Sequence, residues 1–177
     1  TASGNVTQTA ALTADGLGLN GTGNFTLTNA SNNVAMLAGG DNTTKLGTLT
    51  YTDSDALTIG TVNPTGITAT GPITIKTLSG DLTLSEDVAT TNTTPDAIRL
   101  YADANKSAGD GTGGNVIISG SPSITTGSGG TAKLYSGNDA SSTGLSTLVG
   151  SSNVRKNVDA TTTTFNPVLS AGNYALF

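Results

Sequence analysis

General acid–base chemistry and metal binding both need ionisable side chains in close array, so the carboxylates come first. Asp53 and Asp55 stand two apart in YTDSD, and Glu86 and Asp87 are adjacent in SEDV. A carboxyl pair can hydrolyse a glycosidic bond, one group as acid and the other as base or nucleophile. Both pairs fall in polar corners among Ser and Thr, with no platform for a sugar beside them. They read as solvated turn residues that bond their own backbone. The chain has no His, the commonest general base, and no Cys, so thiolate metal sites and disulfides are absent. AGDGTGGN, residues 108–115, invites a phosphate or calcium reading. It lacks the Gly-Lys-Ser/Thr of a phosphate loop and runs into a strand, Val116-Ile117-Ile118. Only fragments of a calcium-binding nonapeptide are present, with too few carboxylates to hold the ion. It reads as a structural loop. The chain is therefore expected to be no enzyme, with no cofactor and no metal.

The side chains that do recur at regular spacing are threonines. Thr26/Thr28 and Thr48/Thr50 are the clearest pairs, followed by Thr50/Thr52 and Thr68/Thr70. In a strand, residues two apart share a face. Stacked strands would then present outward Thr as an array of methyls and hydroxyls, the surface used by ice-binding β-solenoids. The plainer reading is that Thr is the default outward residue of a strand.

What must position these residues is a series of short strands. Ile67, Ile73, Ile75, Leu82 and Leu84 alternate with Thr68, Thr74 and Thr83, between corners at Gly71-Pro72 and Ser79-Gly80-Asp81. Thr makes up roughly a fifth of the chain, far above average usage, and its branched Cβ suits a pleated surface. Gly numbers 24 in 177 residues, while only 4% of the chain is aromatic. No window keeps a 3.6-residue apolar period, so helix should be nearly absent.

The strands repeat. FTLTNASNNVAMLAGG, residues 25–40, lies over GTLTYTDSDALTIG, residues 47–60, with Thr26-Leu27-Thr28 on Thr48-Leu49-Thr50 and Leu37 on Ile59. The offset is roughly 22 residues, within the range of solenoid repeats. A second pair matches more fully at an offset of about 34 residues. There Leu82 and Leu84 lie over Val116 and Ile118, and Ile98-Arg99-Leu100-Tyr101 over Ala132-Lys133-Leu134-Tyr135. The only Asn-Gly hairpin signal is Asn20-Gly21. These features predict an all-β fold, a right-handed parallel β-helix with coils of roughly 20 residues stacked about 4.8 Å apart. Leu27, Leu49, Ile59, Ile73, Ile75, Leu84, Leu100, Ile118 and Leu134 should fill the bore, with their Thr neighbours outside. Coils span 1–150. Residues 151–177 form a capping or docking segment of the same domain, in which Tyr174, Leu176 and Phe177 seal the last coil or meet a neighbour.

Net charge is −5 and the pI about 4.3. The seven Lys and Arg are scattered, only Arg155 and Lys156 being adjacent, with no basic stripe legible along the chain, which argues against nucleic acid as a partner. No apolar stretch is long enough to insert in a membrane as a helix. The chain opens on Thr1 rather than Met, which reads as a mature subunit or a segment of something longer.

The run GTVNPTGITATGPITIKTLSGDLTLS, the coil GGNVIISGSPSITTGSGGTAKLYSG and the ending STLVGSSNVRKNVDATTTTFNPVLSAGNYALF together resemble the passenger regions of filamentous-haemagglutinin-type bacterial adhesins, exported by two-partner secretion. The resemblance lies in repeat grammar over nearly the whole chain; the amino-terminal secretion domain of that family is not visible. It implies a right-handed β-helix without an active site, located outside the cell or on the bacterial surface, acting in adhesion, biofilm or fibres. The implied partners are neighbouring copies or modules end to end, or host or matrix glycans. The alternatives are an ice-binding β-solenoid and a β-helical polysaccharide-binding module.

Overall fold

The computed structural model describes residues 1–177. Strands β1 (Val6–Thr7) and β2 (Thr13–Leu19) open the chain, followed by β3 (Phe25–Leu27) and β4 (Asn33–Gly39). Three triplets come next. They are β5 (Leu49–Asp53), β6 (Leu57–Ile59) and β7 (Ile67–Ala69); β8 (Ile73–Thr77), β9 (Leu82–Leu84) and β10 (Val88–Thr90); and β11 (Ile98–Tyr101), β12 (Val116–Ile118) and β13 (Ile124–Thr125). β14 (Thr131–Tyr135) leads into the one α-helix, α1 (Leu145–Val149), and β15 (Val154–Arg155) and β16 (Gly172–Leu176) close the chain. The fold is all-β.

Every ladder between these strands is parallel. The first sheet runs β1-β3-β5-β8-β11-β14-β16-β15. The second curls and branches at β4, with β6, β9 and β12 along one arm and β7, β10 and β13 along the other. β4 can serve both arms because it is long: Met36 and Leu37 pair with Thr58 and Ile59, while Gly39 pairs with Ile67. The corner at that branch needs glycine. Gly40 has φ 64°, and a Cβ there would collide with the carbonyl oxygen of Thr68.

Alternation decides which side chains go inside. In Leu57-Thr58-Ile59 and Leu82-Thr83-Leu84 the aliphatics are buried and the Thr between them is half-buried. One cluster of 28 buried residues draws on both sheets. Leu27, Leu49, Ile59, Ile73, Ile75, Leu84, Leu100 and Leu134 all belong to it; Ile118 is half-buried at its edge. α1 lays Leu145 and Val149 on this cluster at its carboxy-terminal end.

The longer repeat is a pair of hydrogen-bonded ladders. Ile98-Arg99-Leu100-Tyr101 lies in register with Ala132-Lys133-Leu134-Tyr135, and Leu82-Thr83-Leu84 with Val116-Ile117-Ile118. The shorter repeat needs a correction. Leu37 does pair with Ile59, but Leu49 lies beside Phe25 rather than Leu27, and Thr26 beside Thr50 rather than Thr48. The corner between β3 and β4 is two residues longer than the one between β5 and β6 and absorbs the difference. Buried Asn32 shapes that longer corner. Its Nδ2 donates to the carbonyls of Leu27 and Thr52, and its Oδ1 accepts the Leu12 N–H.

Candidate functional site

The expected site residues separate into three places. Thr26, Thr28, Thr48 and Thr50 lie on or beside the first sheet near the start of the stack. Thr26 and Thr28 are exposed, and Thr48 and Thr50 are half-buried. Thr7, Thr26, Thr50 and Thr74 form one rank across β1, β3, β5 and β8. The rank is short. Thr74 is buried under the Arg99 guanidinium, which donates to its hydroxyl at 3.3 Å, and the next two positions are Arg99 and Lys133.

Tyr174, Leu176 and Phe177 are buried. β16 slots between β14 and β15, so these residues complete the sheet rather than stand free on a surface. Their burial comes from both directions. Ala175 and Phe177 join the main core, while Tyr174 and Leu176 join Tyr101 and Tyr135 in a second cluster on the outer face of the first sheet. Residues 156–171 roof that cluster with Val158, Phe165 and Leu169. Tyr101 and Tyr135 stack at 4.4 Å between ring centres, 9° from parallel, as their ladder register requires.

The carboxylates divide differently from the sequence expectation. Asp53 is fully buried, not a solvated corner residue. It shares strand parity with Leu49 and Tyr51 and therefore points inward. Its Oδ2 accepts the Tyr51 hydroxyl at 2.6 Å and the Val34 N–H at 3.1 Å, and its Oδ1 accepts the Asp55 N–H at 3.3 Å. Burial raises its pKa from the usual carboxyl value, against the pull of these donors, and burial also pushes the Tyr51 phenol far up. Asp55 stays exposed and accepts from Asn33. Glu86 accepts the Thr61 hydroxyl, and Asp87 the Ser123 N–H. No group of three or more His, Cys, Asp or Glu is placed to hold a metal ion. The loop over residues 108–115 is tied down by its own acids and by the carboxy-terminal segment. Asp110 accepts from Thr112, and Asp159 accepts the Ala108 N–H.

The outer face of the first sheet holds what the sequence does not display. Lys76 on β8, Arg99 on β11, Lys133 on β14 and Arg155 on β15 all project there, although they lie far apart along the chain. Four of the seven cations thus share one face of an acidic protein. Three of them sit over rings: Lys76 over Tyr101 at 5.1 Å, Lys133 over Phe165 at 5.4 Å and Arg155 over Tyr174 at 5.2 Å. Asp96 is the acid among Arg99 and Lys133. Lys133 Nζ lies 2.8 Å from Asp96 Oδ1, and Arg99 4.0 Å from Oδ2. The hydrogen bond from Lys133 holds the Asp96 carboxyl below its usual range. Arg99 Nε is buried without a partner. Beside these groups two grooves of about 240 and 260 Å³ meet at Lys133, Thr163 and Phe165.

The two ends of the stack also differ. β1 pairs only with β3 and β2 only with β4, and Asp15 is the single charged side chain among residues 1–40. At the other end α1 covers the core and the sheet finishes on the two-residue strand β15, whose Arg155 guanidinium bonds the carbonyls of Ser152 and Pro167. No helix is long and apolar enough to cross a membrane. Comparison with protein-family models, with curated proteins and with solved structures gives no match to this chain.

Proposed function

We propose that this chain is a non-catalytic structural segment of a bacterial extracellular adhesin or surface fibre, built as a right-handed parallel β-solenoid and serving adhesion, biofilm or filament assembly. Unbroken parallel pairing supports the solenoid, since every return to the same sheet is then a crossover, and such crossovers are right-handed in the great majority of cases. The observation that carries the assembly reading is the contrast between the ends. β1 and β2 offer unpaired backbone along one side, with Ala2, Val6, Leu12 and Leu17 only half-buried over the core. An edge of this kind recruits another strand unless charge, proline or a bulge blunts it, and Asp15 is the single charge available. The opposite end is covered by α1 and closed by a short strand. A neighbouring copy or module therefore stacks at the β1–β2 end, and residues 151–177 seal the last coil or dock on a neighbour at the other.

The inward position of Asp53 and the bonding of Glu86 and Asp87 to Thr61 and the Ser123 backbone support the non-catalytic half of the reading. Electron microscopy of the native material tests the whole. Rods or continuous fibres about one solenoid wide are expected; globular, unstacked particles at all concentrations overturn it.

A further inference from the structure

We propose that the grooves on the outer face of the first sheet bind a carboxylated sugar, a hexuronate unit of an acidic polysaccharide, with its carboxylate seated against Arg99 and Lys133. The inference deepens the surface-segment reading by naming a ligand, and its test does not depend on rods or fibres.

Charge comes first. In a chain of net charge −5, Lys76, Arg99 and Lys133 form a local excess of cations, with only Asp96 among them. Asp96 already demonstrates the fit, since its two oxygens reach Lys133 and Arg99 separately, and its side chain is half exposed. The Arg99 guanidinium is held in place by its bond to Thr74, while its side chain stays 38% exposed. A second carboxylate at this place meets a guanidinium that is already ordered, and charge-assisted bonds from a guanidinium are the stronger kind.

Shape and polarity narrow the ligand. Each groove is smaller than the roughly 300–1,000 Å³ of pockets that bury drug-sized molecules, so each suits one sugar ring. The first is walled by Tyr101 and Phe165 and lined by Thr162 and Thr163, the Thr162 hydroxyl being engaged with Asp159. The second, reached across Phe165, is lined by Pro95, Val168 and Leu169. Val168 is the one large apolar side chain left widely exposed, at 81%. A pyranose offers apolar C–H faces to such walls and hydroxyls to the threonines. Two adjoining seats suit consecutive units of one chain.

The test is calorimetric titration of the whole chain with tri-galacturonate, and with a neutral galactose trisaccharide for comparison. Binding of the uronate but not of the neutral sugar is expected. Arg99→Gln and Lys133→Gln should each weaken it by about tenfold or more, as loss of a charge-assisted bond does, while Lys45→Gln, outside the groove, should leave it unchanged. Asp96→Asn removes the competing carboxylate and should tighten binding several-fold, a direction that structural damage cannot mimic. Absence of uronate binding at millimolar concentration, equal binding of the neutral sugar, equal loss in Lys45→Gln, or weaker binding in Asp96→Asn overturns the proposal.

Discussion

Replacing Asp53 tests the most unusual feature of the interior, a carboxylate with no exposure at the end of β5. Both strong donors converge on one oxygen: the Tyr51 hydroxyl at 2.6 Å and the Val34 N–H at 3.1 Å meet at Oδ2, while Oδ1 takes only the Asp55 N–H at 3.3 Å. Asp53→Ala leaves the hydroxyl and the Val34 N–H buried without an acceptor. Each such loss costs about 1–3 kcal/mol, so the variant should be less stable by roughly 2–6 kcal/mol. At about 2–4 °C per kcal/mol for a chain of this size, the melting temperature should fall by on the order of 10 °C. Asp53→Asn keeps an oxygen where Oδ2 stands, loses the weakest of the three bonds and removes a buried charge. Its stability at neutral pH should lie within about 1 kcal/mol of the natural chain, on either side.

The pH dependence separates the charge from the hydrogen bonds. Burial raises the folded pKa of Asp53, so the folded state holds that proton more tightly than the unfolded state does. The stabilising contribution is then fully present below the ordinary carboxyl value and is lost as pH rises through the folded value. The stability of the natural chain minus that of Asp53→Asn should therefore decrease with rising pH across that window and level off above it. Urea unfolding followed by far-UV circular dichroism at several pH values gives this difference directly. A difference independent of pH, or an Asp53→Ala variant as stable as the natural chain, would refute the inward placement of the carboxylate.

Leu100 has no exposure, so Leu100→Ala should cost roughly 2–5 kcal/mol in the same unfolding assay. Val168→Ser, at a position 81% exposed, should change stability by no more than about 0.5 kcal/mol. Truncation after Gly150 removes β15, β16 and the roof over Tyr101 and Tyr135, and leaves β14 as a bare edge. Light scattering and electron microscopy should show a less stable chain that associates through that edge; unchanged stability and assembly state would remove the capping role of residues 151–177.

The faces of the strands were legible in the sequence because side-chain parity survives errors of register. Aligning Thr26 with Thr48 misplaces β3 by two residues against β5, yet a shift of two keeps every side chain on its own side, and Leu27 and Leu49 remain inside. Corners hid the register. The turn between β3 and β4 holds two extra residues around buried Asn32, and nothing in the spacing of SNN against DSD reveals which strand the insertion shifts. Where corner lengths balance, as between β11 and β14, the alignment of Arg99 on Lys133 and Tyr101 on Tyr135 gave the hydrogen-bonded pairs directly.

The same parity rule already contained the two features that composition concealed. Asp53 reads as a turn residue because it is an acid beside Ser54 and Asp55, but it lies two after Tyr51 and four after Leu49, and both of those are inward. Alternation outranks residue type wherever a buried hydroxyl and a backbone N–H can satisfy the carboxylate. The cations read as scattered because their spacing along the chain is irregular. Stacking converts position within a strand, not distance along the chain, into neighbourhood: Lys76 and Tyr101 share one column, Thr74, Arg99 and Lys133 the next. In such a fold the inner columns must stay aliphatic to fill the core, whereas the outer columns are free to vary. The outer columns of the first sheet change from Thr to Lys, Arg and Tyr along the stack, and the change coincides with the place where residues 156–171 fold back over them.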